Sequence, residues 1–369
     1  MPIDRRGFVA GSVGLVASAV GAVSETQAKP TAAITSQQHR RIATEEAWSF
    51  PAHLDALAAL AQGNWHNLDV EVINPAGAQA TESLYVNLMD THGRLREMDR
   101  LGIDVQILSL TAPGVQLLRP DRAVALAELA NDRLAEVVRS APDRFGGLAS
   151  FAPQDPAAAA REMERAVRKL GLNGFIVNSH TDNEYLDQQK FWPILEAAEA
   201  LDRPLYIHPR CPADTMAAPF RGTRLQSAIW GFAVETGTHL MRMITAGVFD
   251  RFPKLQVIIG HMGENIPFHL WRSDHWFERR RAAYGSSLTP SEVMKRNILI
   301  TTSGVEHGPA LRYAIEVLGE DRIMWAIDYP YEAMEPSVSF MNKVEISEKQ
   351  RAAIFHGTAQ RAFHLPLPH

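Results

Sequence analysis

Four metal-type side chains stand at or just beyond apolar, β-forming runs in this chain. Glu45 follows RIAT (41–44), His208 follows PLYI (204–207), His261 follows QVIIG (256–260) and Asp328 follows RIMWAI (322–327). A carboxylate or imidazole at the end of a buried run is costly unless paired or coordinated. Glu45, His208 and Asp328 together make a ligand set of two carboxylates and one imidazole. Such an oxygen-rich set suits Mn(II) or Mg(II), and also accommodates Zn(II) or Fe(II). Three protein ligands leave coordination positions open for water or a chelating substrate. Two carboxylates roughly neutralise a divalent ion, so an anionic substrate would need help from an arginine.

His261 lies in IIGHMGE (258–264), with Glu264 three residues on. At that spacing the carboxylate can face the imidazole and fix its tautomer or raise its basicity. Glu264 also reads as a capping carboxylate in the first turn of the next helix. Asp328, followed by Tyr329 and Pro330, has the alternative reading of a helix N-cap. What favours chemistry is the repetition: four such residues at four matching strand ends.

The elements that must position them alternate. Strands are expected at 41–45, 104–110, 145–151, 174–178, 204–208, 256–260, 297–302 and 323–327. Helical patterns are expected at 122–140, 156–170, 191–201, 232–249, 265–283 and 309–318. Nearly continuous apolar strands alternating with helices predict a parallel sheet covered by helices. Eight units in about 330 residues fit an α/β fold of the (β/α)8 TIM-barrel type, where strand C-termini surround the active site. A doubly wound open sheet is the alternative, but no glycine-rich dinucleotide loop follows the first strand. Asn178 ends the fourth strand and joins the ring of candidates. The long connection at 48–88, with Pro51, Trp65 and Pro75, reads as a lid or binding insertion after strand one. The irregular stretches 179–190 and 211–226 should project from the same face.

The 369 residues are 46% hydrophobic with a net charge of −5, ample for a barrel core and without a basic tract for nucleic acid. Arg279–Arg281 is short enough to be a helix face or a subunit contact. The N-terminus differs. Arg5 and Arg6, then Phe8, precede an uncharged Ala/Gly/Val/Ser stretch to Val23 and small residues ending at Ala28. This pattern predicts a twin-arginine-type export signal over 1–28, cleavage near Ala28 and a periplasmic product. A frayed Ala-rich helix is the bland alternative, and the stretch is too short and Gly-rich for a permanent span. The domain division is therefore 1–38 for signal and linker and 39–369 for the barrel. The single cysteine, Cys211, permits no intrachain disulfide. That agrees with a protein folded, and loaded with metal, before export.

The segments YIHPR (206–210), HMGENIPFHLWR (261–272) and AIDYPYE (326–332) resemble the decarboxylase branch of the amidohydrolase superfamily. IDVQILSLTAPG (103–114), VNSH (177–180) and WGFAVETGTHLMRMI (230–244) fit as well. The branch contains γ-resorcylate, 2,3-dihydroxybenzoate and 5-carboxyvanillate decarboxylases, and the likeness runs from about Arg41 to Leu365, nearest the 5-carboxyvanillate type. The resemblance implies Glu45, His208 and Asp328 as metal ligands, and Asp328, His261 and Glu264 as catalytic groups. It implies substrate contacts from Arg272 of a neighbouring subunit, from Tyr331 and from Arg94, and Asn178 is counted with them. One divalent ion per subunit is expected, Mn(II) or Zn(II) ahead of Mg(II), and a homodimer or homotetramer. Trp271, Trp276 and Phe277 are either the subunit contact or internal packing. Ala47 replaces a histidine that many superfamily members carry, and no lysine ends strand four. Both disfavour a binuclear hydrolase site. The export signal is a second departure from these usually cytoplasmic enzymes.

The reaction implied is nonoxidative decarboxylation of an ortho-hydroxy aromatic acid. The metal would chelate phenolate and carboxylate while a proton reaches the ring carbon. The alternative is a hydrolase or hydratase using metal-bound water on an ester, lactone or alkene. A non-catalytic binder of metal or aromatic acid is the third reading, but the His261–Glu264 pair has little purpose there.

Overall fold

The computed structural model describes residues 39–62, 67–73 and 78–366. Eight strands follow in chain order: β1 (Ile42–Trp48), β2 (Val105–Leu110), β3 (Phe145–Ser150), β4 (Gly174–Asn178), β5 (Leu205–His208), β6 (Val257–Ile259), β7 (Ile298–Thr301) and β8 (Ile323–Met324). Each pairs in parallel with the next. The ends meet through Thr44 N to Trp325 O (3.1 Å), Asp328 N to Glu45 O (3.0 Å) and Ala47 N to Tyr329 O (2.8 Å). The sheet is thus an eight-stranded barrel with helices between its strands, as the alternation predicts.

The strands are apolar on both faces because both faces are buried. Inside, one residue from every strand joins a single cluster: Ile42, Ile107, Leu148, Ile176, Tyr206, Ile258, Leu299 and Met324, with Phe363 packed against them. The larger cluster lies between the strands and the helices Pro120–Ser140, Pro156–Arg168, Trp192–Ala200, Gly231–Thr245, Ile266–Arg279, Gly308–Leu318 and Met334–Lys343. The helix expected over 232–249 is broken at Gly247, whose φ is 81°. A Cβ there would lie 2.4 Å from the Gly285 carbonyl oxygen, so the chain turns where that loop presses in. The helix expected over 265–283 ends at Arg279 and continues only as the short turn Arg281–Ala283.

The insertion after β1 is helical rather than looped: Pro51–Ala61, Leu68–Ile73 and Ala78–Met89. It is pinned from beneath by the buried His53 ring, which meets Ser49 Oγ at 2.8 Å and Gly114 O at 3.2 Å. A buried ion pair pins it from the side. The Arg210 guanidinium donates twice to Asp69 Oδ2, and Cys211 N donates to Oδ1 at 3.0 Å. The irregular stretches after β4 and β5 are held by Glu235, which accepts from Ser179 Oγ (2.9 Å), Tyr185 OH (3.2 Å) and Ala213 N (3.0 Å). No helix among the described residues is long and apolar enough to cross a membrane. The expected export signal lies outside the described residues.

Candidate metal centre

Glu45 reaches the barrel mouth from β1, His208 from the end of β5, and Asp328 from the segment after β8. One ligand atom from each lies within 4.8 Å of the others. The Glu45 carboxylate is oriented by its neighbours. Its Oε2 accepts from Thr301 Oγ1 at 2.7 Å and from the Ser303 hydroxyl, whereas the buried Oε1 has no hydrogen-bond partner. Oε1 stands 3.6 Å from His208 Nε2. His208 Nδ1–H donates to the Pro209 carbonyl at 2.9 Å, which leaves the Nε2 lone pair free toward the carboxylates. An orphaned buried acceptor costs about 1–3 kcal/mol unless something fills the gap. A cation held by Glu45 Oε1, His208 Nε2 and Asp328 satisfies that acceptor, so the donor set fits a divalent metal ion.

Room for the carboxylate comes from Gly260, the residue before His261. A Cβ at that position would lie 2.7 and 2.9 Å from the two Glu45 oxygens and 2.9 Å from the Tyr206 hydroxyl. The Tyr206 hydroxyl lies 3.4 Å from Thr301 Oγ1.

His261 stands beside this group. Its Nδ1–H donates to Glu264 Oε1 at 2.8 Å, and its Nε2 lies 3.6 Å from Asp328 Oδ2 and 3.9 Å from Glu45 Oε1. The backbone there is left-handed at several non-glycine residues: His261 (φ 49°), Met262 (58°), Glu264 (49°), Asn265 (66°) and Asp328 (76°). Such conformations cost about 1–3 kcal/mol each and persist where surroundings enforce them. Here two strand ends turn sharply so that His261 and Asp328 face each other.

The environments push the carboxyl groups apart. Burial raises Glu45, but the His261 and His208 charges and the Ser303 and Tyr206 hydroxyls outweigh it and hold it below the usual range. Burial and the Glu45 charge raise Asp328, against the opposing His261 bond. Burial lowers His261, yet Glu45, Glu264 and Asp328 together carry it well above its ordinary value. A divalent cation in the group would oppose that rise.

The remaining expected residues are distributed as follows. Tyr331 reaches the mouth, its hydroxyl 2.6 Å from Thr111 Oγ1. Asn178 is buried at the end of β4, paired in register with His208, and its Oδ1 has no partner. Arg272 sits on the exposed face of the helix Ile266–Arg279, beside the exposed Phe268 and Trp271. Phe277 is buried and Trp276 is 40% exposed, so the stripe divides between packing and surface. Arg94 is not at the mouth. It is 1% exposed, donates to Ala47 O at 2.6 Å and Gln106 Oε1 at 3.2 Å, and lies over the Tyr329 ring at 4.6 Å. Its guanidinium packs in the wall of the barrel, with the buried Nε left without a hydrogen-bond partner.

Sequence reasoning passed over Thr301, Ser303 and Gly260. The hydroxyl run TTS at 301–303 closes the seventh strand, an end for which no candidate was named. Ser303 Oγ donates to Glu45 and accepts from His261 N at 3.2 Å, joining ligand and imidazole.

A family model described as amidohydrolase matches residues 51–365. A γ-resorcylate decarboxylase of Polaromonas sp. (strain JS666) is 40% identical over 283 residues, 74% of this chain and 86% of that protein. The crystal structure of 5-carboxyvanillate decarboxylase from Sphingomonas paucimobilis is 46% identical with a TM-score of 0.85, covering 89% of this chain and 100% of that one. The structure of 5-carboxyvanillate decarboxylase from Novosphingobium aromaticivorans, complexed with manganese and 4-hydroxy-3-methoxy-5-nitrobenzoic acid, is 39% identical with a TM-score of 0.85. It covers 89% of this chain and 96% of that one.

Proposed function

The chain belongs to the amidohydrolase family, and from that membership and the mouth geometry we infer a metal-dependent, nonoxidative decarboxylase of an ortho-hydroxy aromatic carboxylic acid. The observation that carries the reading is the bare Oε1 of Glu45, facing His208 and Asp328 in a chain whose relatives are hydroxybenzoate decarboxylases. Manganese in a relative's structure supports Mn(II) as the ion. The 46% identity to the Sphingomonas paucimobilis 5-carboxyvanillate decarboxylase, against 40% to the Polaromonas γ-resorcylate decarboxylase, favours the 5-carboxyvanillate substrate type.

A divalent ion held by Glu45, His208 and Asp328 would supply Lewis-acid stabilisation of negative charge on substrate oxygens. Asp328 delivers a proton to the ring carbon that bears the carboxylate. The carbon–carbon bond then breaks, its electron pair returns to the ring, and CO2 leaves. One proton is consumed per turnover, so Asp328 must be recharged. His261, its tautomer set by Glu264, presents Nε2 beside Asp328 and manages the phenol proton. Tyr331 and Asn178 contact the substrate.

Arg272 completes the site in trans. Its exposed position, with Phe268 and Trp271 exposed beside it, supports a homodimer or homotetramer in which this helix faces a second copy. The Arg5–Arg6 segment supports export to the periplasm.

The test is incubation of the Mn(II)-loaded protein with 5-carboxyvanillate and 2,6-dihydroxybenzoate, following CO2 release and the ultraviolet spectrum. CO2 with loss of the ortho-hydroxy acid is the expected result. Oxygen-18 uptake from water into an ester or alkene substrate, without CO2 from any hydroxybenzoate, would replace the reading with a hydrolase or hydratase.

A further inference from the structure

Glu45 and Glu46 are adjacent on β1, where the pairing with β2 shifts register between Ala43 and Glu46, and their side chains take different partners. Glu45 faces the mouth. Glu46 faces the barrel wall and is fully buried. Its Oε1 accepts from Ile327 N at 3.0 Å and its Oε2 from Tyr329 N at 3.3 Å. Those are the residues on either side of Asp328, whose own N–H donates to the Glu45 carbonyl.

The regular ladder of β8 ends at Met324. Beyond it single backbone bonds to β1 continue at Trp325, Asp328 and Tyr329, while Asp328 stays beside Glu45 and His208 in a left-handed conformation that a non-glycine residue avoids. Glu46 adds two side-chain acceptors to these bonds, one before the turn and one after it. Arg94 backs the arrangement. It donates to the carbonyl of Ala47, and its guanidinium lies on the Tyr329 ring. The strand of Glu46 and the segment of Tyr329 are thereby tied to the helix Thr91–Leu101.

We propose that Glu46 is a positioning residue that clamps the backbone on both sides of Asp328, with Arg94, which holds the Ala47 carbonyl and the Tyr329 ring, as its brace. The proposal rests on the reading of Asp328 as metal ligand and proton donor. It moves Arg94 from substrate recognition to support of Asp328.

The experiment compares wild type, Glu46→Gln and Arg94→Lys as full-chain oligomers. It measures Mn(II) affinity by equilibrium titration of the metal-free protein, Tm, and kcat and KM separately. Glutamine keeps one acceptor, so one of the two N–H groups loses its partner. Mn(II) binding should weaken about tenfold and kcat should fall about 10–100-fold, with KM within about threefold of wild type. Arg94→Lys, which keeps the charge but loses the planar contact with Tyr329, should show the same split more weakly. A raised KM with unchanged kcat in Arg94→Lys would overturn the proposal and return Arg94 to the substrate. A lowered Tm with Mn(II) affinity and kcat unchanged in Glu46→Gln would also overturn it, because Glu46 would then be structural only. The Mn(II) titration involves no turnover. It therefore reads the clamp even if no tested acid is decarboxylated, an outcome that would instead count against the proposed reaction.

Discussion

Ser303→Ala removes one oxygen from the centre of the site, and the structure allows its effect to be worked out. The hydroxyl donates to the ionised Glu45 Oε2 and accepts from His261 N at 3.2 Å. A hydrogen bond to a charged group contributes about 1.5–3 kcal/mol, and a buried N–H left without a partner costs about 1–3 kcal/mol. The expected loss of folding stability is therefore about 2.5–6 kcal/mol. Thr301 still donates to Oε2 at 2.7 Å, so Glu45 loses one of two guides rather than both. Metal affinity should fall by about tenfold, the lower end of the range for groups that orient ligands, or about 1.4 kcal/mol. The assay is equilibrium titration of metal-free Ser303→Ala with Mn(II), paired with thermal melts of the metal-free proteins. Adding Thr301→Val removes the second guide and should weaken binding by more than the product of the single effects, because the two hydroxyls share one acceptor. Mn(II) affinity within twofold of wild type in Ser303→Ala would refute the account of how Glu45 is aimed.

Glu264→Gln should leave Mn(II) affinity within about threefold and lower kcat about 10–100-fold, as for loss of a general acid–base partner. Because Glu264 raises His261, the pH–rate limb belonging to His261 should move to lower pH in this variant; an unmoved limb would detach Glu264 from the imidazole. Stability should decline in mild acid for a separate reason. Burial lowers His53 to about 4, His239 to about 3 and His180 to about 2, so all three are neutral in the folded protein. Their folded values lie below the unfolded value near 6.5, so this stability is complete above about pH 6.5 and is lost as pH falls toward 4. Each contributes about 2 kcal/mol between pH 7 and 5. Tm should drop over that interval, and His53→Gln should flatten the slope; equal Tm values at pH 7 and pH 5 would contradict the assignment.

Much of this was legible from residue order alone. Apolar runs interrupted by helical patterns gave the barrel, because strands buried on both faces leave a continuous hydrophobic signature. Glu45, His208, His261 and Asp328 were visible because a polar residue closing such a run has no packing explanation. The surroundings of Arg94 are tertiary: nothing in THGRLREM tells that the guanidinium folds under β1 onto Tyr329. Ser303 and Thr301 escaped because hydroxyl residues are common at strand ends and their partner carboxylate, Glu45, is more than 250 positions away. The break at Gly247 escaped because it depends on the approach of Gly285, a contact that helical periodicity does not encode.

The central claim is that one divalent ion, held by Glu45, His208 and Asp328, enables decarboxylation with Asp328 moving the proton. Asp328→Asn tests it most directly, assayed with 5-carboxyvanillate and titrated with Mn(II). Asparagine keeps an oxygen for the metal but has no carboxyl proton to give. Mn(II) binding should stay within about tenfold of wild type and CO2 release should fall by at least about 10³-fold, in the range expected when a group acting on the reacting atom is removed. Near-wild-type CO2 release from Asp328→Asn would contradict it.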